Sequence, residues 1–482
     1  LYPDGAKISP SFYRVTEVIR ACFTPKQMES VMLQKNDCIT LEITDINNEA
    51  FGIGRCDGVA VFVPSAAIGD LLKVRIVKVL ANYCFGKTEE ILRPSPDRIE
   101  VDCPVYAQCG GCSLRHISYE SECQLKNNWV YQNLRRIGGV EPLKVPLIPS
   151  PAQEGYRNKA QYPVEQQGDE IRMGFYAKRS HRVIPHTACK LQPAFFTEIL
   201  EAIHRFFQKY SIPIYNEENH RGLVRHIYLR YGETSGKVML CLVINGLRMP
   251  HSGQFVTMIR NLFPQVSSIV LNVNRGQTNV ILGKDNVLLF GEENITDTLG
   301  GVEISISPLA FYQVNHQAAE ILYGVAKEFA QPKETDTLVD LYCGAGTIGL
   351  SMAREVKELI GVEIVAPAIE NAKQNAKRNG IENARFLCDD AAGAAKTLAE
   401  QQIQADIVIV DPPRKGCSPE ALEAICQLAP DRIVYVSCNS ATLARDVKDL
   451  TERGYALAKV QAVDLFPRTG HVETVALMTK KP

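Results

Sequence analysis

After Phe311 the chain repeats one pattern: a short apolar run ending in a small or polar residue, then a stretch with helical spacing. The runs are TLVDLYCGAG, ELIGVEI, ARFLCDD, ADIVIVDPP and RIVYVSCN. Between them lie TIGLSMAREV, PAIENAKQNAKRNG, AAGAAKTLAEQQ and PEALEAICQLA. Strands that are apolar on both sides need cover on both faces, and intervening helices provide it. The alternation therefore predicts an α/β fold with a parallel, doubly wound, Rossmann-like sheet. Two last runs, YALAKVQAVDLF and HVETVALMT, have no helix between them and predict an antiparallel hairpin at the sheet edge. Ligands of such sheets bind beyond the carboxyl ends of the strands. The residues that close each run are thus the candidates for chemistry.

At 482 residues the chain exceeds a single core. Residues 1–30 lack periodicity and read as a leader or expression remnant. Residues 31–92 alternate apolar and polar positions in short runs separated by Gly and Asn, which predicts a five-stranded, OB-like β-barrel. Residues 93–305 form a central α+β region: strands HIYLRYG, KVMLCLVING and SIVLNVN, one helix (FFTEILEAIHRFFQKY), and an earlier helix at 117–137 able to pack on the last domain, 306–482. No internal repeat is visible. A net charge of −1 confines any nucleic-acid contact to local basic patches. No apolar run nears the roughly 20 residues of a membrane span, and no signal-peptide pattern precedes the barrel. The 15 cysteines are scattered except in CPVYAQCGGC, which fits a reducing, cytoplasmic setting.

DLYCGAGTIGL is a strand, a Gly-rich turn and a helix start, in which Gly344 and Gly346 allow close backbone approach. Glu363 closes the next strand, where a carboxylate takes both hydroxyls of a ribose. Without a third phosphate-loop glycine the turn disfavours a pyrophosphate and favours a nucleoside with an uncharged linker, such as S-adenosylmethionine. Asp411 opens DPPRKG, whose two prolines fix a rigid turn at a strand end. Cys438 lies between RIVYVS and a helix starting near Ser440. Helix amides there are expected to lower its pKa, with Asn439 or Thr442 orienting it. A thiolate beside a methyl donor has a specific use: addition to carbon 6 of uracil makes carbon 5 nucleophilic enough to take a methyl group. Glu473, flanked by Val472 and Val475, is the candidate base for the carbon 5 proton, with His471 as rival.

These motifs, with FYQVN upstream, resemble the RNA uridine-5-methyltransferases, class I enzymes dependent on S-adenosylmethionine. The resemblance covers most of the chain after Ser305. It implies Cys438 as nucleophile and Glu473 as base, with Gln313, Tyr342, Glu363 and Asp411 contacting S-adenosylmethionine. Some relatives carry Asn where Thr347 stands. Phe311 stacks on the flipped target base or is a core residue. NEAFGIGRCDGVAVFVPSAAIGD resembles a TRAM domain, an RNA-binding barrel. CPVYAQCGGC with HTACKLQ resembles the iron–sulfur pattern of the ribosomal branch, which implies Cys103, Cys109, Cys112 and Cys189 as ligands of a structural 4Fe-4S cluster. Zinc, or an empty site, is the alternative. The expected partner is 23S ribosomal RNA, acted on by a monomer with no membrane contact. The basic candidates are Arg157 and Lys159; Lys178, Arg179 and Arg182; and Arg225 and Arg230. The rivals are a tRNA uridine-5-methyltransferase, an RNA cytosine-5-methyltransferase, and a non-catalytic RNA-binding assembly factor.

Overall fold

The structure is a computed structural model and describes residues 33–481; the expected leader, 1–30, lies outside the described residues. Strands β1 (Cys38–Glu42), β2 (Asp45–Ile46), β3 (Phe51–Cys56), β4 (Val59–Pro64), β5 (Leu71–Val79) and β6 (Tyr83–Arg93) form one sheet in the order β1-β5-β6-β4-β3-β2. The expected five strands are six because the run CITLEITDI divides. Ile43 N–H donates to Asp70 O and Thr44 N–H donates to Ile53 O, so the run leaves β5 and crosses to β3. It thereby pairs with both edges of the sheet and closes the barrel. Gly54 permits the crossing, since a Cβ there would lie 2.4 Å from Glu42 O.

Helix α1 (Tyr119–Arg136) is capped by Ser118, whose hydroxyl accepts from Ser121 N–H. Glu120 and Glu122 in its first turn and Arg135 and Arg136 in its last complement the helix dipole. Its Val130 and Leu134 join the core of the C-terminal domain, and Asn133 donates to Ser440 Oγ at 2.8 Å. Trp129, the chain's one tryptophan, donates its indole N–H to Ile46 O of the barrel.

The central sheet comprises β7 (Lys159–Gln167), β8 (Glu170–Tyr176), β9 (Val183–Pro185), β10 (Val224–Tyr231), β11 (Val238–Ile244), β12 (Val266–Val273) and β13 (Asp285–Gly291), in the order β13-β12-β11-β10-β7-β8-β9. Helices α2 (Phe195–Lys209) and α3 (Ser252–Leu262) share its core. The sequence pattern marks only α2. Helix α3 buries just Phe255 and Ile259 and starts from His251 in the left-handed region without a side-chain cap, so it lacks both periodicity and a start signal.

A hairpin of β14 (Ile295–Leu299) and β15 (Val302–Ile306) and helix α4 (His316–Ala330) lead into the last sheet. Its strands are β16 (Thr337–Leu341), β17 (Glu358–Glu363), β18 (Ala384–Cys388), β19 (Ile407–Val410), β20 (Arg432–Ser437), β21 (Tyr455–Val463) and β22 (Glu473–Lys480), in the order β18-β17-β16-β19-β20-β22-β21. The first five are parallel, and β22 runs antiparallel to both β20 and β21. Side chains alternate between two cores: Leu338, Leu359 and Ile407 on one face, Val339, Ile360 and Val408 on the other. Helices α5 (Thr347–Met352), α6 (Ala366–Arg378), α7 (Ala391–Glu400), α8 (Pro419–Gln427) and α9 (Ser440–Glu452) connect the strands. Among the described residues no helix is long and apolar enough to cross a membrane.

The segment between β21 and β22 is held by a buried ammonium. Lys126 Nζ lies 2.7 Å from Glu122 Oε1, 2.8 Å from Asp464 Oδ1 and 3.1 Å from Phe466 O, and all three charged groups are fully buried. Removing one partner of such a set strands the others without water, at a cost of about 3–5 kcal/mol. Lys126→Met should therefore lower the urea midpoint by that equivalent, read by the fluorescence of Trp129 on the same helix. An unchanged midpoint would contradict this reading.

Candidate functional site

The carboxyl ends of β16, β17, β19 and β20 meet at one rim. At β16, Tyr342 sits at φ 66°, which is strained for a non-glycine residue, and Gly344 and Gly346 follow at φ 55° and 81°. Glu363, half-buried, closes β17. Its carboxylate accepts from Gly344 N–H at 3.2 Å and from Val365 N–H at 2.9 Å, so it is clamped against the glycine turn. Asn375 of α6 donates to Ala345 O and pins the turn from the other side. Gly349 completes a G-x-G-x-x-G spacing, so the glycine count carries no argument against a pyrophosphate. That glycine serves packing: a Cβ would lie 2.7 Å from Asp340 Oδ2, which accepts its N–H.

Asp411 follows β19, and burial pushes its carboxyl up to about 7. Burial does the same to Asp340, again to about 7, helped by the nearby charges of Asp411 and Glu363. The rim is thus crowded with carboxylates that a cation would relieve. The turn after Asp411 is fastened to α9. Asn439 Nδ2 and Thr442 Oγ1 donate to Arg414 O, while Arg445 donates to Lys415 O and Cys417 O. Beneath it, buried Asp446 accepts from Cys417 N–H and from the Tyr435 hydroxyl.

Cys438 follows β20, and Glu473 opens β22. The last paired residues of these two strands are Ser437 and Thr474, so the next positions along the antiparallel ladder are Cys438 and Glu473 themselves. The register sets thiol and carboxyl opposite each other. Glu473 is only 5% exposed, and burial, reinforced by Asp411 and opposed by Arg414, raises its carboxyl to about 8.

The expected lowering of the thiol pKa is reversed. Burial, then the charges of Glu473 and Asp411, push Cys438 up to about 11. Asn439 and Thr442 do not orient it: Asn439 Oδ1 caps α9 by accepting Ala441 N–H, and Thr442 donates to Asn439 O and Arg414 O. The cation that does oppose the rise is Arg414, which was not singled out in DPPRKG. Arg414 Nη2 also donates to His471 Nδ1 at 3.0 Å. Burial and that neighbouring charge hold His471 down at about 4, which makes it a weaker base than Glu473.

Gln313 is buried in the segment before α4, where Asn158 donates to its backbone carbonyl at 2.9 Å. Phe311 is 71% exposed, which removes the core reading. Thr347 accepts or donates with the Tyr323 hydroxyl at 2.7 Å.

Cys103, Cys109, Cys112 and Cys189 are half-buried neighbours. Burial and then the other thiols of the group raise Cys112 to about 12, and Cys109 and Cys189 are raised by the same causes. Asp102 and Lys190, adjacent in sequence to the outermost two, form an ion pair joined by Arg115 and Glu154, which draws the two cysteine-bearing segments together. Among the described residues, no three His, Cys, Asp or Glu side chains converge at ligand distance from one point.

Two of the expected RNA-contacting arginines serve the fold instead. Arg225 donates to Asn274 O and Gly276 O, and Arg230 to Ser307 O and Ala310 O; both are buried. Arg157 and Lys159 are half-buried, whereas Lys178, Arg179 and Arg182 are exposed.

Residues 153–481 match the protein family described as tRNA (Uracil-5-)-methyltransferase, and residues 34–88 match the TRAM domain. A protein of Halalkalibacterium halodurans, described as an uncharacterized RNA methyltransferase, is 42% identical over 450 residues, covering 93% of this chain and 98% of that one. One of Clostridium tetani with the same description is 39% identical over 451 residues, 94% and 98% of the two chains. The crystal structure of the Pyrococcus abyssi tRNA (uracil-54, C5)-methyltransferase in complex with S-adenosyl-L-homocysteine is similar with a TM-score of 0.74 and 27% identity. It covers 91% of this chain and 99% of its own.

A raised thiol pKa has a measurable consequence. Thiolate, not thiol, reacts with iodoacetamide. Alkylation of Cys438 in the free protein, followed by peptide mapping, should keep rising with pH above 9 and level off only near 11. Glu473→Gln removes a neighbouring negative charge and should shift that profile to lower pH. A plateau below pH 8 would show that the helix amides dominate after all.

Proposed function

The chain belongs to the tRNA (uracil-5-)-methyltransferase family, and from that premise we propose that it methylates carbon 5 of a uridine in RNA through a covalent adduct at Cys438. The observation that carries the reading is the ladder register that sets Cys438 opposite the buried carboxyl of Glu473. S-adenosylmethionine, when bound, supplies the electrophilic methyl group. The residues at the rim suit it: Glu363 faces the glycine turn as a ribose acceptor, Tyr342 directly precedes that turn, and Asp411 belongs to a carboxylate cluster matched to a sulfonium. Gln313, buried before α4, is assigned to the cofactor by the family resemblance.

Cys438 loses its proton to solvent and the thiolate adds to carbon 6 of the uracil, forming the sulfur–carbon bond and shifting the carbon 5–carbon 6 pair into an enolate across carbon 5 and the carbon 4 oxygen. Carbon 5 would then take the methyl group, the electron pair of the broken carbon–sulfur bond staying with the donor, which leaves as a neutral thioether. Glu473 then removes the carbon 5 proton, the double bond re-forms, and the Cys438 thiolate leaves. A carboxyl raised to about 8 is a stronger base than an ordinary glutamate, which suits the last proton transfer.

The substrate we assign is 23S ribosomal RNA, and the four-thiol group is assigned as the holder of a structural 4Fe-4S cluster. Cys103, Cys109, Cys112 and Cys189 lie near enough that the group's charges add to burial in raising Cys109, Cys112 and Cys189, and their pattern resembles the ribosomal branch. No three of them converge at ligand distance here, so the cluster would have to draw them together. The cluster would tie Cys189 to the Cys103–Cys112 loop. A tRNA uridine is the second reading, favoured by what the Pyrococcus abyssi relative acts on. We place the protein in the cytoplasm as a monomer, where the described cysteines stay unpaired.

Cys438→Ala should abolish methyl transfer and leave S-adenosylmethionine binding intact. RNA containing 5-fluorouridine should form a denaturant-stable adduct with the wild type only; an adduct in the variant would remove Cys438 from its role. Glu473→Gln should slow turnover by about 10² to 10⁴ and accumulate the methylated adduct. Normal turnover would transfer the role of base elsewhere. Mapping 5-methyluridine in ribosomal and transfer RNA from cells with and without the protein separates the two substrates. Anaerobically prepared protein should contain iron and acid-labile sulfide; zinc alone would reassign the thiol site.

A further inference from the structure

Among the described residues, the outer wall of the barrel carries an aromatic face that lies outside the hydrophobic cores. Along β3, β4 and β6, inward positions are small or aliphatic: Gly52, Gly54, Val61, Val63, Cys84 and Gly86 are buried. The alternate positions point outward and carry Phe51, Phe62, Tyr83 and Phe85, none of them buried. Strand register sets Phe62 opposite both Ile53 and Phe85, and Tyr83 opposite Ala60. The rings form one cluster, with centroids 5.7 Å apart for Phe51–Phe85, 5.3 Å for Phe62–Tyr83, 5.9 Å for Phe62–Phe85 and 5.7 Å for Tyr83–Phe85. Among the described residues none of the four belongs to a hydrophobic core cluster of the protein.

The rim of this face is basic. Lys78 is the cross-strand partner of Phe85, Lys87 follows Phe85 on the same side of β6, and Arg55 lies beyond Ile53 on β3; all three are exposed. The nearby carboxylate, Glu89, is paired with Arg75 at 2.9 Å and offers little repulsion to an anion. The barrel that carries this face also meets the segment leading to the site. The loop that leads into Phe51 contacts the approach to Glu473 so closely that a Cβ on Gly470 would lie 2.5 Å from Asn48 O.

We propose that Phe51, Phe62, Tyr83 and Phe85 form a stacking platform for unpaired bases of the RNA strand that flanks the target uridine, with Lys78, Lys87 and Arg55 following its phosphates. This rests on the RNA-methyltransferase reading and deepens it. Aromatic faces accept any base, so the platform holds the strand without reading its sequence. A second copy of the chain would cover apolar rings equally well, but it would not need the basic rim.

The test uses the full-length protein and a single-stranded RNA of about 20 nucleotides containing one uridine. Each stacked base is worth about five- to a hundred-fold in affinity on alanine substitution. Phe62→Ala with Phe85→Ala should therefore weaken binding at least ten-fold with an unchanged dependence on salt, while Phe62→Tyr with Phe85→Trp retains it. Lys78→Gln with Lys87→Gln should instead flatten the salt dependence, by about 0.7 in slope per cation. An unchanged Trp129 unfolding midpoint establishes that the variants are folded. Replacing the flanking nucleotides by abasic residues should erase the difference between wild type and the alanine variant. If the alanine variant binds RNA like the wild type, or if its only change is loss of a wild-type dimer in sedimentation, the platform is overturned. A wild type that methylates uridine while the variant binds normally overturns the platform alone. Ring-dependent RNA binding without any methyl transfer supports the platform and instead removes the catalytic reading.

Discussion

The buried ammonium of Lys126 fixes the segment from Asp464 to Val472, and every module of the protein meets that segment. Lys126 and the Tyr119 hydroxyl hold Asp464 from α1, and Arg468 N–H donates to Glu122. Arg468 itself adopts φ 70°, and its carbonyl accepts from Ser113 and Leu114, just past the cysteine group. Tyr156 donates to Pro467 O and Gln153 accepts from Arg468, both from the segment just before β7 of the central sheet. Gly470 abuts the barrel at Asn48. Burying such charges seldom adds net stability compared with apolar packing. What the set contributes is one defined path for the backbone, and that path delivers Glu473 to the ladder position opposite Cys438.

The same burial governs the chemistry. Taking Asp340, Asp411 and Glu473 out of water raises all three carboxyls, and burial, with Glu473 and Asp411 beside it, pushes the Cys438 thiol up to about 11. Among the described residues, Arg414 is the cation that opposes the rises of Cys438 and Glu473. A site of this kind suits a cationic methyl donor, because a sulfonium beside these groups favours their charged forms. On the proposed reading, the thiol would gain reactivity only when its ligands assemble.

Much of this was legible in the sequence, and the exceptions have physical causes. Apolar strands alternating with helices identify the parallel sheet because two-sided burial leaves no polar stripe. Gly344, Glu363, Asp411 and Cys438 stand out because each closes a strand. The division of CITLEITDI was not legible, since the crossing from β5 to β3 depends on Gly54 and on partners far along the chain. Helix α3 buries too few residues to print a period. Arg225 and Arg230 look like RNA ligands until carbonyls brought in by distant loops take their donors. The sign of the Cys438 shift failed because helix amides are local and visible in sequence, whereas Glu473 and Asp411 arrive from other strands. Arg414 was missed for the same reason: its importance lies in three neighbours that only the fold assembles.

The central claim is that carbon 5 of a uridine exchanges a proton for a methyl group while the base is held by Cys438. RNA carrying tritium at carbon 5 of uridine tests it most directly, because release to water counts the proton that Glu473 removes. The account predicts one tritium released for each methyl group incorporated, and none from Cys438→Ala. Methyl incorporation without tritium release would place the methyl group on another atom and contradict the account.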